Sequence, residues 1–184
     1  MAVQRGISGI FVSILGIFIL LIAVVVIAKV LGSDAPIKPI IQKSIELRKA
    51  TGSVERASLI SSLDDLIVQS DNEEVQSQWD RMTSCLSSSC PDEAYLDLIL
   101  VVVANFESEI PESNVLINII ATAKYWDDSE HLLDFSRALS IANDQIDELD
   151  SKKARKAWDS VVECDNVCPE KFDLYFDLIE AVVQ

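Results

Sequence analysis

Trp79-Asp80-Arg81-Met82-Thr83-Ser84-Cys85-Leu86-Ser87-Ser88-Ser89-Cys90-Pro91 is a stretch that the chain writes twice. The second copy opens at Trp158-Asp159, places Cys164 six residues after the Trp, and closes on Cys168-Pro169. With one gap at Ser89 the copies share the Trp, the Asp, both cysteines and the Pro. The same register carries Leu96 and Leu100 onto Leu174 and Leu178. All four cysteines of the chain lie in these two copies.

Val75, Trp79 and Met82 stand four and three residues apart, which puts them on one side of a helix from about Glu73 to Cys85. Pro91-Asp92-Glu93 has the composition of a helix start: proline lacks an N–H that is unpaired there anyway, and acids suit the positive end of the macrodipole. The cysteines of each copy therefore bracket the turn of a helical hairpin. Their Cα atoms can fall within the roughly 4.4–6.8 Å that a disulfide spans. Closing so short a loop adds about 2 kcal/mol in the chain-entropy view. The expected pairs are local, Cys85 with Cys90 and Cys164 with Cys168. The alternatives are bridges between the copies, reduced buried thiols, or a Cys₄ zinc site. The gaps of four and three residues, with 73 between the pairs, depart from the usual C-x₂-C of zinc. Trp79 and Trp158, with Pro91 and Pro169, are expected to anchor the core rather than to stack on a ligand.

Around this stretch the chain reads as a series of helices. Leu98-Ile99-Leu100-Val101-Val102-Val103-Ala104 is rich in β-branched residues, yet the aligned segment from Phe172 to Val183 places Leu174, Leu178 and Val182 at helical period. A helix is expected for both, the first buried on several faces, the second covering an end with Asp173, Asp177 and Glu180 outward. Pro39 opens a helix that carries Ile40, Ile41, Ile45 and Leu47 and stops at Thr51-Gly52. Ser53 with Glu55-Arg56 opens the next, through Ala57, Ile60, Leu63 and Ile67, and Ser70-Asp71-Asn72 is a turn and cap. Pro111-Glu112-Ser113-Asn114 opens a helix through Ile117, Ile120, Ala121 and Lys124. Trp126-Asp127-Asp128-Ser129 ends it and caps another that holds Leu132, Leu133, Phe135, Leu139 and Ile141, before a break at Asn143-Asp144. Four hairpins result, starting near residues 37, 72, 111 and 147. The expected fold is all-α: a helical-hairpin repeat domain of about eight helices over residues 39–184, a short α-solenoid or bundle. Its clear copies lie around 72–107 and 147–183. Thr51 to Leu63 and Tyr125 to Leu139 form a fainter pair.

The first thirty residues are of another kind. Gly6 to Ala28 holds 23 uncharged residues, roughly 35 Å of helix against a hydrocarbon core of about 30 Å. That exceeds the 7–15 apolar residues, roughly, of a secretory signal, although Val26-Ile27-Ala28 resembles a cleavage site. Residues 1–31 are expected to be a single-pass transmembrane anchor, touching lipid through residues 6–28, with 32–38 as a short linker. Gly9, Ser13 and Gly16 put small residues near one face, where a second helix could approach. Lys29, Lys38, Lys43, Arg48 and Lys49 follow the apolar run, which by the positive-inside rule favours a cytoplasmic domain. The paired cysteines favour an oxidising compartment. The cysteines are taken to decide, giving a cell-membrane protein with its C-terminal domain outside the cytoplasm.

Arg5-Gly6 directly before a long apolar helix resembles the leader of archaeal pilin-like and archaellin-like proteins. In that family a peptidase cuts after the Gly. The resemblance covers about 25 residues and implies a filament subunit that begins at Ile7 and packs through its N-terminal helix. Phe11 stands where bacterial pilins carry a Glu.

Every Asp and Glu lies at or after Asp34, so residues 33–184 carry thirty acids against thirteen Lys and Arg, a net charge of −17. Such a domain repels nucleic acid and anionic lipid headgroups and lacks the basic stripe that phosphate binding needs. Its acidity suits a basic partner or divalent cations, or simply a solvated surface. The single His131 leaves the common zinc, diiron and Ser-His-Asp sets out of reach. Five glycines, three of them in or before the membrane segment, make no phosphate loop. Asp71-Asn72-Glu73-Glu74 and Asp127-Asp128 lack the alternation of a calcium loop and read as helix caps. The expectation is a non-catalytic protein without metal or cofactor, with no nucleic acid and no small-molecule substrate. It would bind a protein partner or itself as a scaffold or accessory subunit of a membrane assembly. The alternative is the self-assembling filament subunit.

Overall fold

Ile37, Ile40, Ile41, Ile45 and Leu47 give one side of residues 37–49 an unbroken apolar surface, and all five are buried in the first helix, α1 (Ile37–Lys49). The computed structural model of the protein describes residues 36–86, 90–125, 132–164, 168 and 171–184, which belong to one unit, Pro36–Gln184. The described residues form eight α-helices and no strand. After α1 come α2 (Ser53–Gln69), α3 (Glu73–Thr83), α4 (Asp92–Asn105), α5 (Ser113–Tyr125), α6 (Leu132–Glu148), α7 (Lys152–Glu163) and α8 (Lys171–Val183). Leu98, Ile99, Val102 and Val103 are fully buried in α4, so the β-branched run is helical.

The turns follow from particular residues. Asp71 leaves α2 with φ 49°, a left-handed conformation that a short polar side chain tolerates, and Asn72 then caps α3. Its Oδ1 accepts the backbone N–H groups of Glu74 and Val75, each at 3.0 Å. Asp150 repeats the φ of 49° between α6 and α7, and Ser151 accepts from the N–H of Ala154 at 3.2 Å. α3 ends at Thr83, two residues short of Cys85, and residues 84–86 form a turn at the disulfide.

α1 packs on α2 and α4, and α3 packs on both α2 and α4, closing a four-helix bundle. α5, α6, α7 and α8 close a second bundle in the same way. The two share a face: α4 lies on α5 and α1 lies on α8. The repeat is therefore four helices long. α2 and α6 both have 17 residues and start 79 apart. Asp71 and Asp150, Asn72 and Ser151, and Trp79 and Trp158 keep the same interval. In the last helix of each bundle Tyr95-x-Asp97-Leu98-Ile99 falls on Tyr175-x-Asp177-Leu178-Ile179, and Val102-Val103 on Val182-Val183, at an interval of 80. Tyr, Leu, Ile and both Val are buried in each.

Several expectations are corrected by this. Of the solenoid and the bundle, the packing gives the bundle, as two closed four-helix bundles, because α8 returns to α1 rather than ending a row. The acids of α8 do not cover an end but meet the cations of α1. The register that set Leu96 on Leu174 shifts by two residues, since the chain between Cys168 and Tyr175 is two longer than that between Cys90 and Tyr95. The fainter pair is a true repeat, but Leu63 corresponds to Ala142 rather than Leu139. α6 packs on α5, buries Ala138, Ala142 and Ile146, and leaves Leu133 exposed. α5 buries Val115, Leu116, Ile119, Ile120 and Ala123, with Ile117 and Ala121 at the margin.

Among the described residues no helix is long and apolar enough to cross a membrane. The expected membrane segment at 6–28, with Gly9, Ser13 and Gly16, lies outside the described residues, as do Arg5-Gly6, Trp126 to Ser129, His131 and Pro169.

Candidate functional site

Short connections make successive helices antiparallel, and this sorts the turns to two ends. Pro36, both Asp turns and Gln184 lie at one end; the α1–α2 turn and both cysteine corners lie at the other. Cys85 and Cys90 are bonded with Cα atoms 5.0 Å apart, Cys164 and Cys168 with Cα atoms 5.6 Å apart. Bridges between the copies and a shared zinc site are thereby set aside. Trp79 and Trp158 are buried close by, and their indole N–H groups reach back 15 residues, to Asp64 Oδ1 at 3.1 Å and Asn143 Oδ1 at 3.0 Å. Pro91 is exposed and occupies the N-cap of α4, with ψ 154°. Its fixed φ shapes the corner; it does not fill the core.

The disulfide end also gathers charge. Arg48, in the last turn of α1, donates from Nε to Asp92 Oδ1 at 2.6 Å and pairs through Nη1 with Asp173 Oδ1 at 2.5 Å. Its guanidinium also stands 4.4 Å from the centroid of the Phe176 ring. Asp92 lies in the first turn of α4 and Asp173 in the first turn of α8, so one side chain ties three helices. Burial works against its charge, but the hydrogen bonds and charges of the two carboxylates prevail and hold its pKa above the ordinary value. Lys49 bonds Asp177 Oδ1 at 2.7 Å and Glu180 Oε2 at 3.1 Å, with its pKa raised through the same contest. The reciprocal pair is Lys124 Nζ to Asp97 Oδ1 at 2.6 Å, joining α5 to α4. The two lysines cross-link the bundles symmetrically. Arg48 has no such twin, because Ala123 stands before Lys124 where Arg48 stands before Lys49.

Around Arg48 opens a polar cleft of about 580 Å³, walled by Lys49, Arg56, Cys90, Tyr95 and the carboxylates of Asp92, Asp173 and Asp177. Arg56, from the first turn of α2, places Nη1 3.4 Å from the carbonyls of Leu47 and Ala50, which the end of α1 leaves unpaired. Among the described residues no carboxylate pairs with Arg56. Tyr95 is 3% exposed, and its hydroxyl has no hydrogen-bond partner among the described residues. Its twin Tyr175 is also buried, which pushes its phenol pKa up, but its hydroxyl lies against Thr122. The first bundle has Leu47 at the place of Thr122, and Leu47 cannot accept a hydrogen bond.

Comparison of the chain with protein-family models, curated proteins and solved structures gives no match.

The sequence reading found the cysteines and the Trp pair and missed Arg48, Arg56 and Tyr95. The one available signal was the repeated Tyr-x-Asp-Leu-Ile, which marks Tyr95 and Tyr175 as equivalent. Nothing at Arg48 or Arg56 announces that three helix ends converge on them. The cleft presents donors and acceptors of both signs on rigid helix ends, an arrangement suited to holding a charged chain in one orientation.

Proposed function

We propose that this protein is a membrane-anchored, non-catalytic binding subunit whose acidic double bundle engages a protein partner outside the cytoplasm. The observation that carries the reading is the cleft at the disulfide end. A duplicated fold repeats its turns, its Trp anchors and its lysine cross-links, yet builds this polar concavity in the first bundle from residues, Arg48 and Arg56, that the second replaces with Ala123 and Phe135. Two local disulfides support an oxidising compartment, and the net charge of −17 over residues 33–184 supports a partner of basic character overall. The apolar run at residues 6–28 supplies the tether.

Cross-linking of native membranes with a lysine-reactive reagent, read by mass spectrometry, tests the reading. One recurring partner should join at Lys49, Lys124 and Lys171 at the disulfide end, in preference to Lys38, Lys152 and Lys153 at the other. A mature chain starting at Ile7, cross-linked only to copies of itself, would instead establish the pilin-like filament subunit.

A further inference from the structure

We infer that the cleft binds a short peptide segment carrying both a carboxylate and a cationic side chain. Arg56 and the Tyr95 hydroxyl take the carboxylate, and Asp173 and Asp177 take the cation. The inference rests on the protein-binding reading above and names the chemistry of the site.

Three observations lead to it. The Tyr95 side chain is 3% exposed and lines the cleft, and its hydroxyl has no hydrogen-bond partner among the described residues. The cations of the cleft are also unequally committed. Arg48 and Lys49 each hold two carboxylates, whereas Arg56 spends one nitrogen on two helix-end carbonyls at 3.4 Å. The rest of its planar fork matches a carboxylate in two-point contact. Finally, Asp173 and Asp177 use one oxygen each on Arg48 and Lys49 and remain 53% and 59% exposed, so each keeps a free oxygen for a cation. A doubly charged phosphate would face these acids and a domain of strongly negative charge; a carboxylate with a cation beside it meets balanced walls. A volume of about 580 Å³ falls within the range of small-ligand sites, roughly 300–1,000 Å³, and admits a few residues rather than a folded surface.

The test is an NMR titration of the full chain in detergent micelles with N-acetyl-Glu-Lys-amide. N-acetyl-Glu-amide, N-acetyl-Lys-amide and inorganic phosphate serve as separate arms. The dipeptide should bind saturably, shift the signals of Arg56 and Tyr95, and bind more tightly than any other arm. Arg56→Gln should weaken it about tenfold and Tyr95→Phe about threefold. Asp177→Asn should remove the preference for the dipeptide over N-acetyl-Glu-amide, and Lys152→Gln, exposed at the opposite end, should change nothing. Tyr95→Phe removes a single oxygen and decides the matter should Arg56→Gln fail to fold. No saturable binding, equal affinity in the Arg56 and Tyr95 variants, or tighter binding of phosphate would overturn the inference. Partner cross-links that persist in Arg56→Gln alongside any of these results leave the binding-subunit reading in place; loss of the cross-links from the wild-type protein removes both.

Discussion

Arg48 concentrates at one residue what elsewhere takes several. Its guanidinium satisfies carboxylates on α4 and α8 and lies over Phe176, with its side chain 13% exposed. Arg48→Met would leave Asp92 and Asp173 without their shared cation at the seam between the bundles. Removing one member of a buried pair costs about 3–5 kcal/mol, and the half-exposed Asp173 reduces this to about 1–3 kcal/mol. Lys124→Met breaks a single exposed pair and should cost less than about 1 kcal/mol. Urea unfolding of the two variants with unchanged slope measures the difference, and the reverse ranking would contradict the role given to Arg48. At this scale the Trp pair was legible because two large rings at one spacing in a repeated stretch have few uses. The partners of the rings were not. Asp64 and Asn143 lie 15 residues upstream and differ in chemistry, sharing only a carbonyl-type oxygen that accepts the indole N–H.

At the scale of elements the chain uses two kinds of turn. One end closes α2 to α3 and α6 to α7 with a left-handed Asp followed by a capping Asn or Ser. The other closes α3 to α4 and α7 to α8 with a disulfide. Replacing Cys85 and Cys90 by Ser, or Cys164 and Cys168 by Ser, should each lower stability by about 2 kcal/mol through loop-closure entropy. Helix content by circular dichroism should stay unchanged, since the corners clip helices that their buried faces already hold; a loss of helix on reduction would refute this. Most helix limits were legible because caps and prolines are local chemistry, but the break expected at Asn143-Asp144 falls inside α6, which runs on to Glu148. The buried face of α6 was not legible either. Large residues normally mark the inside, but here Ala138 and Ala142 are buried and Leu133 is left outside.

At the scale of the whole molecule, the doubled Trp-Cys stretch points to duplication without giving its period. Hairpins of 35 to 39 residues and a unit of four helices both accommodate it, and contact between the first and last helices decides between them. That contact is made by Lys49 with Asp177 and Glu180, and by Arg48 with Asp173, pairs more than 120 residues apart in the chain. No periodicity in a sequence announces such closure, because a cation on α1 and an acid on α8 suit a solvated surface equally well. Closure in turn creates the cleft, by bringing the ends of α1, α2, α4 and α8 together. Zero-length carbodiimide coupling, followed by digestion and mass spectrometry, tests it directly. Two closed bundles sharing a face predict an amide bond between Lys49 and Asp177 or Glu180, within single chains and independent of protein concentration. An open stack of hairpins holds α1 and α8 apart, and the absence of that bond beside efficient coupling of Lys124 to Asp97 would contradict the closed arrangement.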